Sequence, residues 1–383
     1  MAILSESFLL LSICGLWKPN TWSGWKSIIF YLYAIFVFFL HNGFVLAEIL
    51  DLFLSISTAD ERIDTIVTLI SMLAVTAKMV GIYATRNDIL GVCERFDSEW
   101  HAPNPDEIQI QQTCDSNFRF YFFVYTSMFE MAVSGNTLGR LRADTPAFTL
   151  PFKIYVPYDY SSPGVFRLTV LFEFLAVLVA SNIEAAFDTL FRGVMVQICA
   201  RIQMLKRRFE VSVDSLQKMR SEKSSDSREY KKMEQELFSD WIKKHNAILR
   251  LSDDIESVFS KVIFVQYYLS SFVVCTTVYI LSQTPFSPPF IGIGGYLFVM
   301  TSEIFMICYS ANQVTLEFAD LSVAMYNTNW FVLSIPAKRY IVIMMTRTLR
   351  PIIFTSGHLV TLSLESFKSL MKVTYSIYNV LKN

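Results

Sequence analysis

Long apolar runs separated by shorter polar stretches set the pattern of this chain. A helix that crosses a bilayer needs about 20 mostly apolar residues. Six segments meet that requirement, at roughly 27–50, 64–85, 118–138, 165–190, 258–282 and 290–312. The stretch 341–381 is apolar as well, but it carries Arg347, Arg350-Pro351, Gly357-His358, Glu365, Lys368 and Lys372. Proline interrupts the helical hydrogen-bond ladder, so the region divides at Pro351. A short helix outside the bilayer precedes it, and a seventh span of about 352–381 follows. The pattern predicts an all-α polytopic membrane protein with seven transmembrane helices. The run Phe8–Trp17 is too short to span, lacks a basic flank, and is followed by Lys18-Pro19-Asn20 rather than small residues. It reads as a cytoplasmic or interfacial helix and not as a signal peptide.

Basic residues in the connecting stretches orient the bundle. Segments 1–26, 86–117, 201–250 and 314–350 hold 21 Lys and Arg, thirteen of them in 201–250. The alternate segments 51–63, 139–164, 283–289 and 382–383 hold five. The N-terminus is therefore predicted cytoplasmic and the C-terminus extracellular. The chain divides into a cytoplasmic N-terminal segment (1–26), spans one to four with the outer loop 139–164 (27–190), and a cytoplasmic loop with helical extensions (191–257). Spans five and six (258–312), a cytoplasmic anchor segment (313–350) and the last span (351–383) follow. A G-protein-coupled receptor has its seven helices the other way round. Loop 139–164 also lacks a cysteine, and no Asp-Arg-Tyr or Asn-Pro-x-x-Tyr motif occurs.

Composition agrees with the spans. Of 383 residues 53% are hydrophobic and 17% charged, against about 25% charged in soluble domains. The net charge of −1 is not clustered, which argues against a nucleic-acid partner. Six cysteines and four histidines are dispersed without metal-ligand spacing, so neither a zinc site nor a disulfide framework is expected, and no cofactor. No nucleophile elbow, H-E-x-x-H or phosphate loop is present, so the chain does not read as an enzyme. A transporter would show two similar halves with broken helices in matching places, and spans one to three and five to seven show no such pairing.

Polar positions inside the apolar pattern carry the candidate chemistry. In the inner loop, Ser212–Arg228 reads as a flexible link. After it Met233, Leu237, Trp241, Ile248, Ile255, Phe259 and Val262 recur at helical steps and form an amphipathic helix that runs into span five. Val194, Met195, Ile198, Ile202, Leu205 and Phe209 extend span four inward in the same way. These two helices either shield each other or form an assembly surface. In the last span His358, Glu365, Lys372 and Asn379 stand seven residues apart. Seven residues is close to two turns, so they form one polar ridge. In a bilayer that ridge must meet either protein groups or water. Ser127, Glu130, Ser134 and Thr137 form a stripe on span three, and Thr68, Met72 and Thr76 a stripe on span two. Such stripes serve helix packing or line a cavity.

The chain also carries a family signature. From Phe305 onward it shows Ala324-x-Tyr326 with Trp330, then Arg347, Pro351, Gly357, Ser363-Leu364-Glu365-x-Phe367, Lys372 and Thr374-Tyr375-Ser376. The outer loop adds Leu150-Pro151-Phe152 and Val156-Pro157-Tyr158-Asp159. These elements, about a hundred residues in all, resemble the insect odorant receptor family. The resemblance implies an odorant-gated, non-selective cation channel subunit that binds a small volatile molecule and assembles as a heterotetramer with the odorant receptor co-receptor. It implies residence in the plasma membrane of olfactory sensory neuron dendrites. The co-receptor carries a large insertion in the inner loop that this chain lacks, so the chain resembles an odour-tuned subunit.

The related gustatory receptors, the alternative, follow Thr-Tyr with a short apolar run and Gln-Phe. Here Thr374-Tyr375 continues Ser-Ile-Tyr-Asn-Val-Leu. The resemblance makes the last span pore-lining, with Glu365 and Lys372 beside the ion pathway. Ile377, Tyr378, Val380 and Leu381 would form a gate that closes by dewetting. It places the ligand pocket between spans two, three, four and six, with Thr68, Met72, Thr76, Ser127, Glu130, Ser134, Phe172, Glu173, Ala176 and Tyr296 as candidates. Glu173 departs from the glutamine expected there. Tyr326 and Trp330 belong to the assembly segment.

Overall fold

The structure, a computed structural model, describes every residue except 1–3, 20, 56–58, 99–104, 143–148, 223–227, 287 and 383. Among the described residues it is helical almost throughout. A short helix α1 (Ser5–Ile13) precedes the spanning helices α2 (Trp25–Leu54) and α3 (Ala59–Ala84). After α4 (Arg86–Ser98) come α5 (Pro105–Arg142) and two very long helices, α6 (Pro163–Glu222) and α7 (Arg228–Gln283). Helix α8 (Pro288–Tyr326) leads through a 3-10 turn at Trp330–Val332 to α9 (Ile335–Thr348). A two-stranded hairpin, β1 (Thr355–Ser356) and β2 (Val360–Thr361), then precedes the last helix, α10 (Leu364–Lys382). The seven transmembrane helices are α2, α3, α5, α6, α7, α8 and α10.

Helix α2 shows most plainly how lipid shapes the sequence. Its outward positions Ile28, Leu32, Phe36 and Phe39 are exposed and apolar, while Val37, Phe44 and Val45 are buried against the bundle. A helix apolar all round is what a span in contact with hydrocarbon requires. Helix α1 does not span. It docks on α6 through the buried Leu4, Phe8 and Leu11, and Ser7 Oγ donates to Thr189 Oγ1 at 3.1 Å.

The long helices continue well past the bilayer and build a cytoplasmic layer. Trp241 of α7 donates to the carbonyl of Leu205 on α6 at 3.1 Å and stacks on His245. Burial pushes the pKa of His245 down, so the ring is neutral where it meets Phe318 of α8. Lys206 donates to Glu317 at 2.8 Å and Asp320 at 2.7 Å. Burial opposes its charge, but those hydrogen bonds hold its pKa above the ordinary lysine value. Of the expected flexible link at 212–228, residues 212–222 are helix, since α6 runs to Glu222, and 223–227 lie outside the described residues. Val213 and Leu216 are fully buried and prolong the packed face of α6. That is the reason the polar composition there does not unwind it.

The last span also departs from expectation. Helix α10 begins at Leu364, not near residue 352. The intervening hairpin is fastened to α7: Gly357 N donates to Ser260 O at 3.2 Å and to Ser260 Oγ at 2.9 Å, and Ser260 Oγ donates to Thr355 O at 2.8 Å. Glu256 accepts from Thr355 N at 3.2 Å and from its hydroxyl. Gly357 and His358 turn the chain in the left-handed region, with φ of 57° and 60°. His358 is therefore in a turn and does not stand on the ridge of α10.

A Cβ on Gly357 would lie 2.5 Å from the ring of Phe264, and left-handed backbone costs a non-glycine residue about 1–2 kcal/mol. Gly357→Ala should thus cost about 2–3 kcal/mol. Gly43→Ala, on a helix with nothing within 4 Å of the added carbon, should be neutral or gain up to about 1 kcal/mol. Thermal unfolding of the two purified variants, followed by size-exclusion fluorescence, checks the contrast.

Candidate functional site

Helices α3, α5, α6 and α8 line a cavity of about 100 Å³. Its wall is mostly apolar, with Met72, Phe129, Val133, Val177 and Met300 among the lining residues. Polar groups enter from Thr68 and Ser71 on α3, Ser181 and Glu184 on α6, and Tyr296 on α8. Ser71 Oγ and Tyr296 Oη lie 2.5 Å apart and join two walls. Phe152, from the segment before α6, is also part of the wall. Among the bonds that hold that segment, Phe152 N donates to Glu173 at 3.2 Å and Tyr155 N to the carbonyl of Ala47 at 3.1 Å.

The structure sorts the sequence candidates. Thr68, Met72 and Tyr296 line the cavity. Thr76 does not; its hydroxyl meets His41 Nε2 at 3.0 Å, toward α2. Glu130 sits behind the wall, accepting from Ser181 at 3.2 Å and Asn182 at 2.7 Å. Ser127 is exposed and Ser134 half-buried, and neither lines the cavity. The reason is rotational: α5 turns Phe129, Ala132 and Val133 inward, so a stripe displaced from them by one or two residues faces elsewhere. Phe172 packs on Phe44, and Ala176 is fully buried in the helix packing. Glu173, the departure from the family pattern, is buried and anchors the Phe152 segment instead of reaching the cavity.

Next to the cavity lies a group of charges that the sequence reading passed over. Lys78 is fully buried, and its Nζ stands 2.7 Å from Glu184 Oε1, 2.8 Å from Asp188 Oδ1 and 3.3 Å from Glu303 Oε1. Tyr125 donates to Asp188 Oδ2 and Gln266 to Asp188 Oδ1, both at 2.8 Å, and Gln266 also donates to Glu303. Helices α3, α5, α6, α7 and α8 thus all meet at one ammonium. The oxygens of Glu184, Asp188 and Glu303 lie within 4.8 Å of one another, the spacing of a cation site, and Lys78 supplies the cation. The available signal was simple: a Lys, two Glu and an Asp, each inside an apolar span, must find one another.

Helix α10 presents a second candidate surface. Phe367 and Leu370 face α7 and α8, and Phe367 packs edge-on against Phe305. Glu365, Lys368, Lys372 and Ser376 are exposed, and among the described residues no ion pair joins them to the rest of the chain. Ile377 is exposed and Tyr378 half-buried, while the side chains of Val380 and Leu381 lie outside those described. Tyr326 is exposed, and Trp330 donates to its carbonyl oxygen at 3.3 Å.

Three kinds of similarity bear on this architecture. The sequence profile of the family described as 7tm Odorant receptor matches residues 58–375. Among curated relatives, odorant receptor Or1 of Anopheles gambiae is 26% identical over 260 residues, covering 62% of each chain. Odorant receptor 10 of Aedes albopictus is 22% identical, over 72% of this chain and 73% of its own. The alignment thus spans less than two thirds of the first relative's length. In fold, the chain superimposes on the insect olfactory receptor OR5 of Machilis hrabei, solved in complex with eugenol, with a TM-score of 0.83 at 18% identity. That match covers 99% of this chain and 97% of the other.

Removing one partner from a buried ion group leaves uncompensated charge and costs about 3–5 kcal/mol. Lys78→Met should accordingly abolish the monodisperse folded protein. Glu303→Gln, which leaves Lys78 with its two nearer carboxylates, should retain it with a modest loss of melting temperature. Size-exclusion profiles of the two variants check the difference.

Proposed function

The chain belongs to the 7tm odorant receptor family, and from that premise we propose that it is an odour-tuned subunit of a non-selective cation channel opened by a small volatile ligand. The observation that carries this reading is the largely apolar cavity between α3, α5, α6 and α8. Pockets for drug-sized ligands run to about 300–1,000 Å³. A cavity of about 100 Å³ suits a much smaller, mainly apolar molecule. Met72 and Met300 in its wall are flexible side chains that yield to different shapes.

The pore is assigned to α10. An exposed row of Glu365, Lys368 and Lys372 is costly against lipid and satisfied against water. Copies of this helix around a shared axis would border an aqueous path, with Ile377, Tyr378, Val380 and Leu381 closing it by dewetting. Assembly with the co-receptor into a heterotetramer is assigned to the cytoplasmic layer. There Tyr326, Phe331, Ile335, Ile343 and Leu349 are exposed apolar side chains beyond the spans, which supports an interaction surface. The inner loop lacks the long insertion of the co-receptor, which supports the odour-tuned assignment. The site of action is the plasma membrane of olfactory sensory neuron dendrites.

Recording from cells that express the chain with and without the co-receptor, across an odorant panel, tests this reading. Currents should require the co-receptor and persist when G-protein signalling is blocked. Their loss under that block would overturn the channel assignment. Substitutions at Met72 or Tyr296 should reorder odorant potency at constant ion permeability. Lys372→Gln or Ile377→Ala should instead alter permeability or basal current for all odorants alike.

A further inference from the structure

Each hydroxyl around the cavity has an acceptor for its hydrogen within the protein. A hydroxyl has one hydrogen to donate and lone pairs with which to accept. Ser71 Oγ donates its hydrogen to the carbonyl of Val67 at 3.1 Å. Either oxygen can donate in the 2.5 Å contact between Ser71 Oγ and Tyr296 Oη; with the Ser71 hydrogen on Val67, that contact uses the hydrogen of Tyr296. Thr68 donates to the carbonyl of Thr65 at 3.0 Å, and Ser181 to that of Leu178 at 2.9 Å or to Glu130 at 3.2 Å. Phe152 N is committed to Glu173.

The remaining polar lining group, Glu184, adds more acceptor capacity. Its Oε1 accepts from Lys78, and its Oε2 has no hydrogen-bond partner. With Glu184 ionised beside the Lys78 ammonium, both its oxygens only accept. Among the described residues, then, the wall offers lone pairs and no free donor.

We propose that this cavity selects molecules that donate a hydrogen bond. The ligand class is small alcohols or phenols on an apolar skeleton, preferred over aldehydes, ketones and ethers of the same size. Tyr296 Oη is the acceptor, and Ser71, by taking the hydrogen of Tyr296, is the residue that makes it one. This rests on the cavity being the ligand site. A carbonyl ligand placed there turns its oxygen toward other lone pairs, or must draw a hydroxyl away from its present partner. Losing one such bond corresponds to about a tenfold change in affinity.

Matched ligand pairs test the proposal in cells expressing the chain with the co-receptor. The panel is a series of primary alcohols with their aldehydes and methyl ethers, and a set of phenols with their methyl ethers. The alcohols and phenols should be about tenfold more potent than their partners. Ser71→Ala frees the hydrogen of Tyr296 to point into the cavity, so aldehydes should gain potency and the gap should close. Ser71→Thr, which keeps a hydroxyl in place, should behave as the parent. Tyr296→Phe, which leaves the bond from Ser71 to Val67 intact, should weaken alcohols more than aldehydes.

Surface labelling confirms that each variant reaches the membrane. Equal potencies in the parent chain, or no gain for aldehydes in Ser71→Ala at normal surface level, would overturn the donor proposal. In that case a potency shift in Met72→Ala would leave the cavity as the ligand site. If Met72→Ala, Ser71→Ala and Tyr296→Phe shift the potency of no ligand, or if neither series evokes current, the cavity assignment falls together with the proposal.

Discussion

One ammonium group holds the centre of this bundle together. Lys78 has no access to solvent, and three carboxylates from α6 and α8 surround it. Lipid offers no hydrophobic drive to bring helices together, because hydrocarbon is as apolar as the side chains facing it. Charge is different: an isolated buried ion is so costly that any arrangement separating Lys78 from its partners is strongly disfavoured. The attraction fixes not only which helices are neighbours but how each is rotated. Glu184 and Asp188 reach the ammonium from positions four residues apart on α6, which sets the face that α6 turns inward.

The cavity inherits its form from that arrangement. Glu184 belongs both to its wall and to the ion group, so the apolar chamber and the charged centre share a carboxyl. Any change in the shape of the chamber is felt where five helices meet. A ligand biases a conformational equilibrium only through different contacts in the two states, and here a lining residue is also a keystone of the packing. On the outer side the Phe152 segment is tied to Glu173 and to the carbonyl of Ala47.

Much of the fold was legible in the sequence, because spans answer to hydropathy over some twenty residues and need no tertiary information. The inward extensions of α6 and α7 were legible for a similar reason, since Trp241, Ile248 and Ile255 keep helical period among charges. Two misreadings share one cause, the use of composition where partners decide. Ser212–Glu222 looks like linker, yet the buried Val213 and Leu216 carry the helix through it. Residues 352–363 look like membrane span, yet Ser260 and Glu256 capture them as a hairpin through backbone hydrogen bonds. Rotation was the least legible quantity of all. The periodicity of Ser127, Glu130 and Ser134 is real, but periodicity does not say which way a stripe faces. Met72 and Tyr296, both named from the sequence, line the cavity, and so does Ser71, which was not named.

The hairpin between α9 and α10 gives the last helix the mechanics of a cantilever. Its inner end is clamped to α7 through Gly357, Thr355 and Ser260, while the helix itself packs on α7 and α8. Nineteen residues make a rod of about 28 Å. A tilt of about 5° at the clamp moves the far tip by roughly 2.5 Å, close to the diameter of a water molecule, while the base barely shifts. Small angular play at a fixed pivot is thereby magnified along the rod. The polar side chains nearest the clamp travel least, and the apolar ones at the tip travel most.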